Sequence, residues 1–123
     1  MKLRRISIVL LALLLAAMAM VPMVAANAIT VTAHGTNGGN YIAYGGSASH
    51  GNQIAYNFQV NEYLYNPSGT LVASPSAATC ASGYSCTAGD YYYYPTVHGT
   101  YRVLTIGTAD GHGTASISSY VTW

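Results

Sequence analysis

Charged residues are scarce in this chain, which has four lysine and arginine residues and three aspartate and glutamate residues among 123. After residue 28 the only basic residue is Arg102, and three acidic residues give this part a formal charge of −2 with histidine neutral. So few cations cannot neutralise a run of phosphates, which argues against nucleic acid as a partner. The same shortage argues against attachment to an acidic membrane surface.

The features of common hydrolases are missing as well. Sugar hydrolysis needs two carboxylates, and only Glu62, Asp90 and Asp110, scattered along the chain, are available after residue 28. A G-x-S-x-G nucleophile elbow is absent. Asp110 and His112 are near neighbours, but a hairpin turn leaves both pointing outward without a pocket. We therefore expect neither catalysis nor a cofactor, and a small hydrolase or metal-binding protein is the least favoured alternative.

The first residues have the layout of a secretory signal. A basic start, M-K-L-R-R, is followed by an apolar run from Ile6 to Ala26. Small residues at positions 26 and 28 predict cleavage after Ala28, with cleavage after Ala26 as the alternative. An uncleaved membrane anchor is the other interpretation of the apolar run. We expect a secreted or cell-surface protein whose single domain, residues 29–123, is not embedded in the membrane.

Helical periodicity is lacking after residue 28. Short alternating segments separated by turn residues instead predict about seven strands. This spacing favours an all-β fold, a two-layer antiparallel sandwich, with a small up-and-down β-barrel as the alternative.

The longest predicted strand runs from Gln53 to Tyr65. Its buried face, which Glu62 interrupts, is predicted to hold Ile54, Tyr56, Phe58, Val60 and Leu64. A turn at residues 66–69 then predicts a hairpin. The stretch from Ser74 to Ala88 is predicted to be irregular.

Only two cysteines, Cys80 and Cys86, are present. An even pair in an exported chain predicts a disulfide, and its short loop corresponds to about 2 kcal/mol in the chain-entropy model. Two thiolates alone do not form a zinc site. We expect the bridge to stiffen a loop rather than to hold the domain together.

The segment Gly99-Thr100-Tyr101-Arg102-Val103 resembles the G-x-Y strand start of immunoglobulin-like and fibronectin-like domains. The resemblance implies that Tyr101 forms a corner, with its hydroxyl bonded to an upstream backbone group. It implies an architecture and no activity. The chain departs from true immunoglobulin domains because its cysteines are not spaced to link two sheets.

Each of the four histidines, His34, His50, His98 and His112, is followed by glycine. Zinc sites usually combine closely spaced ligands, whereas these histidines lie in separate predicted loops. Glycine accepts positive φ and histidine tolerates it, so the repeated pair predicts turns and no metal site. Because loops alternate between the two ends of a sandwich, His50 and His112 could share one end, which makes them weak metal candidates with too few ligands.

Aliphatic residues are also scarce, since Ile, Leu, Val and Phe number fifteen after residue 28, whereas the chain has twelve tyrosines. Tyrosine must therefore supply much of the buried area. In a strand, Tyr91 and Tyr93 face one way and Tyr92 and Tyr94 the other. One pair can then pack inward while the other binds a protein or a carbohydrate at the cell surface. Cross-strand packing without binding is the alternative.

Together these patterns predict a non-catalytic extracellular binding or surface-associated module. The alternative is a structural subunit that assembles by exchange of the first strand, Ile29 to Ala33. Charge-poor edges favour that alternative, because they lack the lysines that block pairing between sheet edges.

Overall fold

The computed structural model describes residues 28–73 and 76–123. The predicted signal segment, residues 1–28, lies outside the described residues except for Ala28. The described residues form seven β-strands: β1 (Thr30–Asn37), β2 (Tyr41–Ser49), β3 (Ala55–Tyr65), β4 (Ser76–Gly83), β5 (Ser85–Tyr93), β6 (Thr100–Ala109) and β7 (Gly113–Thr122). Among these residues there is no helix long and apolar enough to span a membrane.

The strands form two antiparallel sheets with the orders β1-β2-β5 and β4-β3-β6-β7. Both sheets are open, with edges at β1 and β5 and at β4 and β7. The predicted two-layer sandwich is therefore confirmed, and the alternative, an up-and-down β-barrel, is wrong. The chain passes from one sheet to the other after β2, after β4 and after β5.

Side chains from the two inner faces form a core of two clusters. One cluster is built around Ile29, Val31, Phe58 and Val60, with alanines that let the sheets approach closely. The other contains Ile42, Tyr44, Leu64, Tyr101, Val103 and Val121. Of the twelve tyrosines, only Tyr44 and Tyr101 are fully buried. Tyrosine therefore supplies less of the core than its abundance predicts.

β3 departs from the predicted alternation near its start. Ile54 and Tyr56 were expected on the buried face, but these side chains are 52% and 60% exposed. The alternation breaks at Asn57, whose φ of 51° lies in the left-handed region that asparagine tolerates better than most residues. Ala55 is buried instead, and beyond the break the predicted face holds Phe58, Val60 and Leu64.

The stretch predicted to be irregular instead contains β4 and the first four residues of β5, joined at Tyr84. Because β4 pairs with β3 and β5 pairs with β2, the chain crosses between the sheets here. Cys80 in β4 and Cys86 in β5 form the predicted disulfide, with their Cα atoms 5.8 Å apart. The bridge links the two sheets, so the expectation that it only stiffens a loop is wrong.

Replacing both cysteines, Cys80→Ala with Cys86→Ala, should lower the free energy of unfolding by about 2 kcal/mol, because the unfolded chain regains the entropy that the bridge removes. Urea denaturation followed by the fluorescence of Trp123, the only tryptophan, measures the change. The wild type in a reducing agent should shift by the same amount, whereas the double variant should not respond to the reductant. An unchanged midpoint on reduction would contradict the stabilising role of the bridge.

Candidate functional site

The outer face of the three-stranded sheet carries a cluster of tyrosines. Tyr41 of β2 lies opposite Tyr93 of β5. The ring centroids of Tyr41 and Tyr91 are 5.3 Å apart in an edge-on arrangement, and those of Tyr41 and Tyr93 are 5.9 Å apart. Aromatic pairs attract at such separations. We call Tyr41, Tyr91, Tyr93 and Tyr94 the tyrosine patch.

The tyrosine patch is open to solvent. Tyr91, Tyr93 and Tyr94 are 54%, 58% and 72% exposed. Tyr94 does not follow the predicted alternation, because β5 ends at Tyr93 and Tyr94 has a φ of 54°. Tyr92 points the other way and packs against Tyr101, with 6.4 Å between ring centroids. Three of the four consecutive tyrosines therefore contribute to the patch.

Tyr41 is the patch residue that the sequence patterns missed. Its position follows from the antiparallel register of β2 and β5, which pairs residues 41–49 with residues 93–85. These strands are far apart in the sequence, so no local pattern indicates which of their residues are neighbours.

Two donors from the core hold the segment that follows the patch. The Tyr101 hydroxyl donates to the Val97 carbonyl oxygen at 2.8 Å, and the Trp123 indole N–H donates to the Pro95 carbonyl oxygen at 3.1 Å. Burial raises the pKa of Tyr101, so its hydroxyl remains a donor at neutral pH. This anchoring fixes the backbone directly after Tyr94.

A shallow groove beside the patch is lined by His34, Tyr44, Asp90 and Tyr91, together with small residues of β2 and β5. The Asp90 carboxylate accepts a hydrogen bond from the Tyr91 backbone N–H at 2.8 Å. Burial raises the pKa of Tyr44, and the charges of Asp90 and Glu62 raise it further. The groove thus places a carboxylate and an imidazole next to a flat aromatic surface, and such polar groups can orient a ligand.

The fold brings two of the four histidines together. The ring centroids of His50 and His112 are 4.0 Å apart, with 45° between the ring planes. Gly51 and Gly113, which follow them, have φ angles of 64° and 72°, as a turn at each site requires. His34 differs from the prediction, because it lies within β1 and not in a loop.

The His50–His112 pair does not belong to a larger cluster of metal-ligating side chains among the described residues. Within residues 28–73 and 76–123, no group of three or more histidine, cysteine, aspartate or glutamate side chains is placed to hold a metal ion. Both ring nitrogens of His50 are buried, and neither has a hydrogen-bond partner in this part of the chain. Turn formation explains the backbone at these positions but not the stacked rings.

Glu62 is fully buried between the sheets. Its Oε2 atom accepts a hydrogen bond from the Thr105 hydroxyl at 2.7 Å, while Oε1 is buried without a partner among the described residues. Burial raises the pKa of Glu62 to about 7, although the bond from Thr105 acts in the opposite direction. Solvent does not reach this carboxyl group, so it has no route to a substrate.

Comparisons with known proteins leave the function open. No family model matches the chain, and no curated protein matches it. Among solved structures, a similar chain is a DUF4466 family protein from Parabacteroides merdae, with a TM-score of 0.44 and 14% sequence identity. The similarity covers 76% of this chain and 43% of that chain, so this chain spans less than half of the length of the protein it resembles. The function has to be inferred from the residues themselves.

Proposed function

We propose that this chain is an exported, non-catalytic binding module that holds a carbohydrate against the tyrosine patch. The observation that carries the proposal is the cluster of exposed tyrosine rings on one sheet face, with centroids 5.3 to 6.3 Å apart. Tyrosine provides a large contact area with few rotatable bonds to fix on binding. Rings that already pack against one another lose still less freedom when a ligand covers them.

The size of the patch favours a short oligosaccharide over a protein. A tyrosine can bury about 200 Å² in all, and three tyrosines of the patch have more than half of their surface exposed. The exposed part of these three residues therefore offers roughly 400 Å² to a ligand. A standard protein interface buries about 800 Å² on each partner. The adjacent Asp90 carboxylate would repel acidic sugars, so we propose neutral sugars as ligands.

The immunoglobulin-like or fibronectin-like class belongs to the same proposal. It is supported by Tyr101, which lies near the start of the sixth strand and donates to a carbonyl four residues upstream. The tyrosine corner of such domains has the same kind of hydrogen bond, which supports the proposal. Export is supported by the disulfide, which persists in oxidising compartments.

Assembly through strand exchange is the alternative function, and it has less support. β1 pairs with β2 at every position from Thr30 to Asn37. The first strand is therefore engaged within its own sheet, and exchange would have to break this pairing.

The variant Tyr91→Ala with Tyr93→Ala should reduce the affinity for a bound oligosaccharide at least about tenfold, because aromatic residues at the centre of a binding surface supply most of the binding energy. A glycan array identifies the oligosaccharide, and isothermal titration calorimetry measures its affinity. Tyr56→Ala with Tyr120→Ala is the matched control, since these tyrosines are 60% and 64% exposed but lie outside the patch.

Three outcomes would count against the proposal. The first is equal affinity of the patch variant and the control for the same sugar. The second is an array with no bound glycan, combined with a protein partner whose binding depends on the patch. The third is filament formation by the purified wild type, seen by electron microscopy, which favours the strand-exchange alternative.

A further inference from the structure

The four histidines of this chain fall into two classes in the fold. His50 and His112 stack at 4.0 Å between ring centroids. His34 and His98 are not part of this pair. His34 lies in β1, and His98 is exposed in the segment between β5 and β6. Turns alone would not require any two of these rings to meet.

Backbone hydrogen bonds fix both turns that carry the pair. The His50 N–H donates to the Tyr84 carbonyl oxygen at 2.9 Å, and the His112 N–H donates to the Ala109 carbonyl oxygen at 3.1 Å. The β2–β3 turn is thereby tied to the β4–β5 turn beside the disulfide. Two imidazoles are held in place at one end of the sandwich before any ligand arrives.

Within the described part of the chain, the two ring nitrogens of His50 lack the hydrogen-bond partners that buried polar atoms usually have. Both are buried, and neither finds a donor or an acceptor among the described residues. Buried polar atoms are nearly always partnered, and an unpartnered one points to an ion or a water molecule at the site. His50 also lines a shallow surface pocket together with Ala28, Thr30 and Gln53, so a rotation of its ring towards that pocket would give a metal ion access to a nitrogen.

From this geometry we propose that His50 and His112 bind a divalent transition metal ion, with copper(II) bound most tightly. Neutral imidazole suits zinc, copper and nickel, and affinity among divalent ions of this series peaks at copper. Imidazole nitrogen binds these ions at about 2.0–2.1 Å, so rings this close can each place one nitrogen on a shared ion after small side-chain rotations.

The proposed site is coordinatively unsaturated and of moderate affinity. Two protein ligands leave the remaining coordination positions to solvent or to a donor group of a ligand, as in sites that exchange ligands rather than sites that only hold the fold together. The site is independent of the tyrosine patch. Tyr41 starts β2 and His50 follows its end, and nine residues of strand separate them by about 30 Å.

Isothermal titration of the purified protein with copper sulfate, and then with zinc and nickel chlorides, tests this proposal. We expect one copper(II) ion per chain, and at least a tenfold loss of affinity in His50→Ala and in His112→Ala. His34→Ala and His98→Ala are the matched controls and should bind copper like the wild type. Circular dichroism checks that each variant is folded.

A second measurement does not depend on variants. In wild-type protein, added zinc should shift the ring resonances of His50 and His112 in nuclear magnetic resonance spectra, and should leave those of His34 and His98 in place. Absence of binding to all three ions would overturn the proposal. So would copper binding that survives both substitutions, or that falls equally in the His34 and His98 controls, because the ion would then be held elsewhere.

Discussion

Gly46→Ala is expected to destabilise the folded domain by about 3 kcal/mol or more. A Cβ atom at residue 46 would lie 2.1 Å from the Thr32 carbonyl oxygen, 2.3 Å from the Thr105 hydroxyl oxygen and 2.9 Å from Glu62 Oε1. Thr32 belongs to β1, so its backbone oxygen can retreat only if β1 and β2 separate. Added methylene groups in packed interiors typically cost about 1–3 kcal/mol, and a clash with backbone leaves less room to relax.

Gly89→Ala provides the matched control in the neighbouring strand β5. Its Cβ atom would have its nearest contact with the Tyr44 carbonyl oxygen at 3.1 Å, so that oxygen would have to move by only a few tenths of an ångström. We expect a cost within about 1 kcal/mol, by comparison with ordinary overpacking. Urea denaturation monitored by Trp123 fluorescence measures both variants. Equal stabilities would contradict the close approach of β1, β3 and β6 around Gly46.

Local patterns predicted the parts of the fold that depend on alternation within one strand. In β6, Tyr101, Val103 and Thr105 are buried while Arg102 is exposed, as the period of two requires. The turn between β6 and β7 also falls at the predicted Asp-Gly-His-Gly segment. In such segments each residue's face is fixed by its neighbours in the chain, which is the information a sequence displays directly.

The errors arose where neighbours in space decide the structure. β4 consists largely of small residues, so its sequence lacks the alternation that predicts a strand. It forms by pairing with β3 at the sheet edge. The disulfide joins the sheets only because β4 and β5 belong to different ones. Asn57 changes the face of its strand through a single left-handed residue, and alternation alone does not reveal which asparagine adopts that conformation.

The candidate sites show the same division. Alternation separated Tyr91 and Tyr93 from Tyr92, but Tyr41 joined them through a register that no local pattern encodes. The rule that loops alternate between the ends of a sandwich placed His50 and His112 at one end. The rings stack because the two turns bring the side chains together. The sequence does not specify the geometry of either turn.

The stability of the folded domain should fall as the pH rises through the range from 4.5 to about 7, because of Glu62. The pKa of this buried carboxyl group is raised from the ordinary 4.5 to about 7 in the folded state. Below the lower value both states are protonated, and Glu62 adds no pH dependence. Between the two values the carboxyl group loses its proton in the unfolded chain but keeps it in the folded chain. The unfolded state is therefore stabilised relative to the folded state. Above pH 7 the loss is complete, at about 3 kcal/mol for a shift of this size.

Glu62→Gln isolates this contribution, because glutamine retains an oxygen that can accept the Thr105 hydrogen bond but cannot ionise. Its free energy of unfolding should exceed that of the wild type at pH 8 by up to about 3 kcal/mol. The difference should shrink as the pH falls towards 4.5. Asp90→Asn removes an exposed carboxylate instead and serves as the control for the loss of one negative charge.

All three proteins share the same histidines, so histidine titration cancels in these differences. Urea denaturation at a series of pH values supplies the profiles. Parallel profiles for the wild type and Glu62→Gln would mean that Glu62 is ionised in the folded core, since only a group with the same charge in both states leaves stability independent of pH. That charge would then require a partner for Oε1, an atom that has none in the described part of the chain.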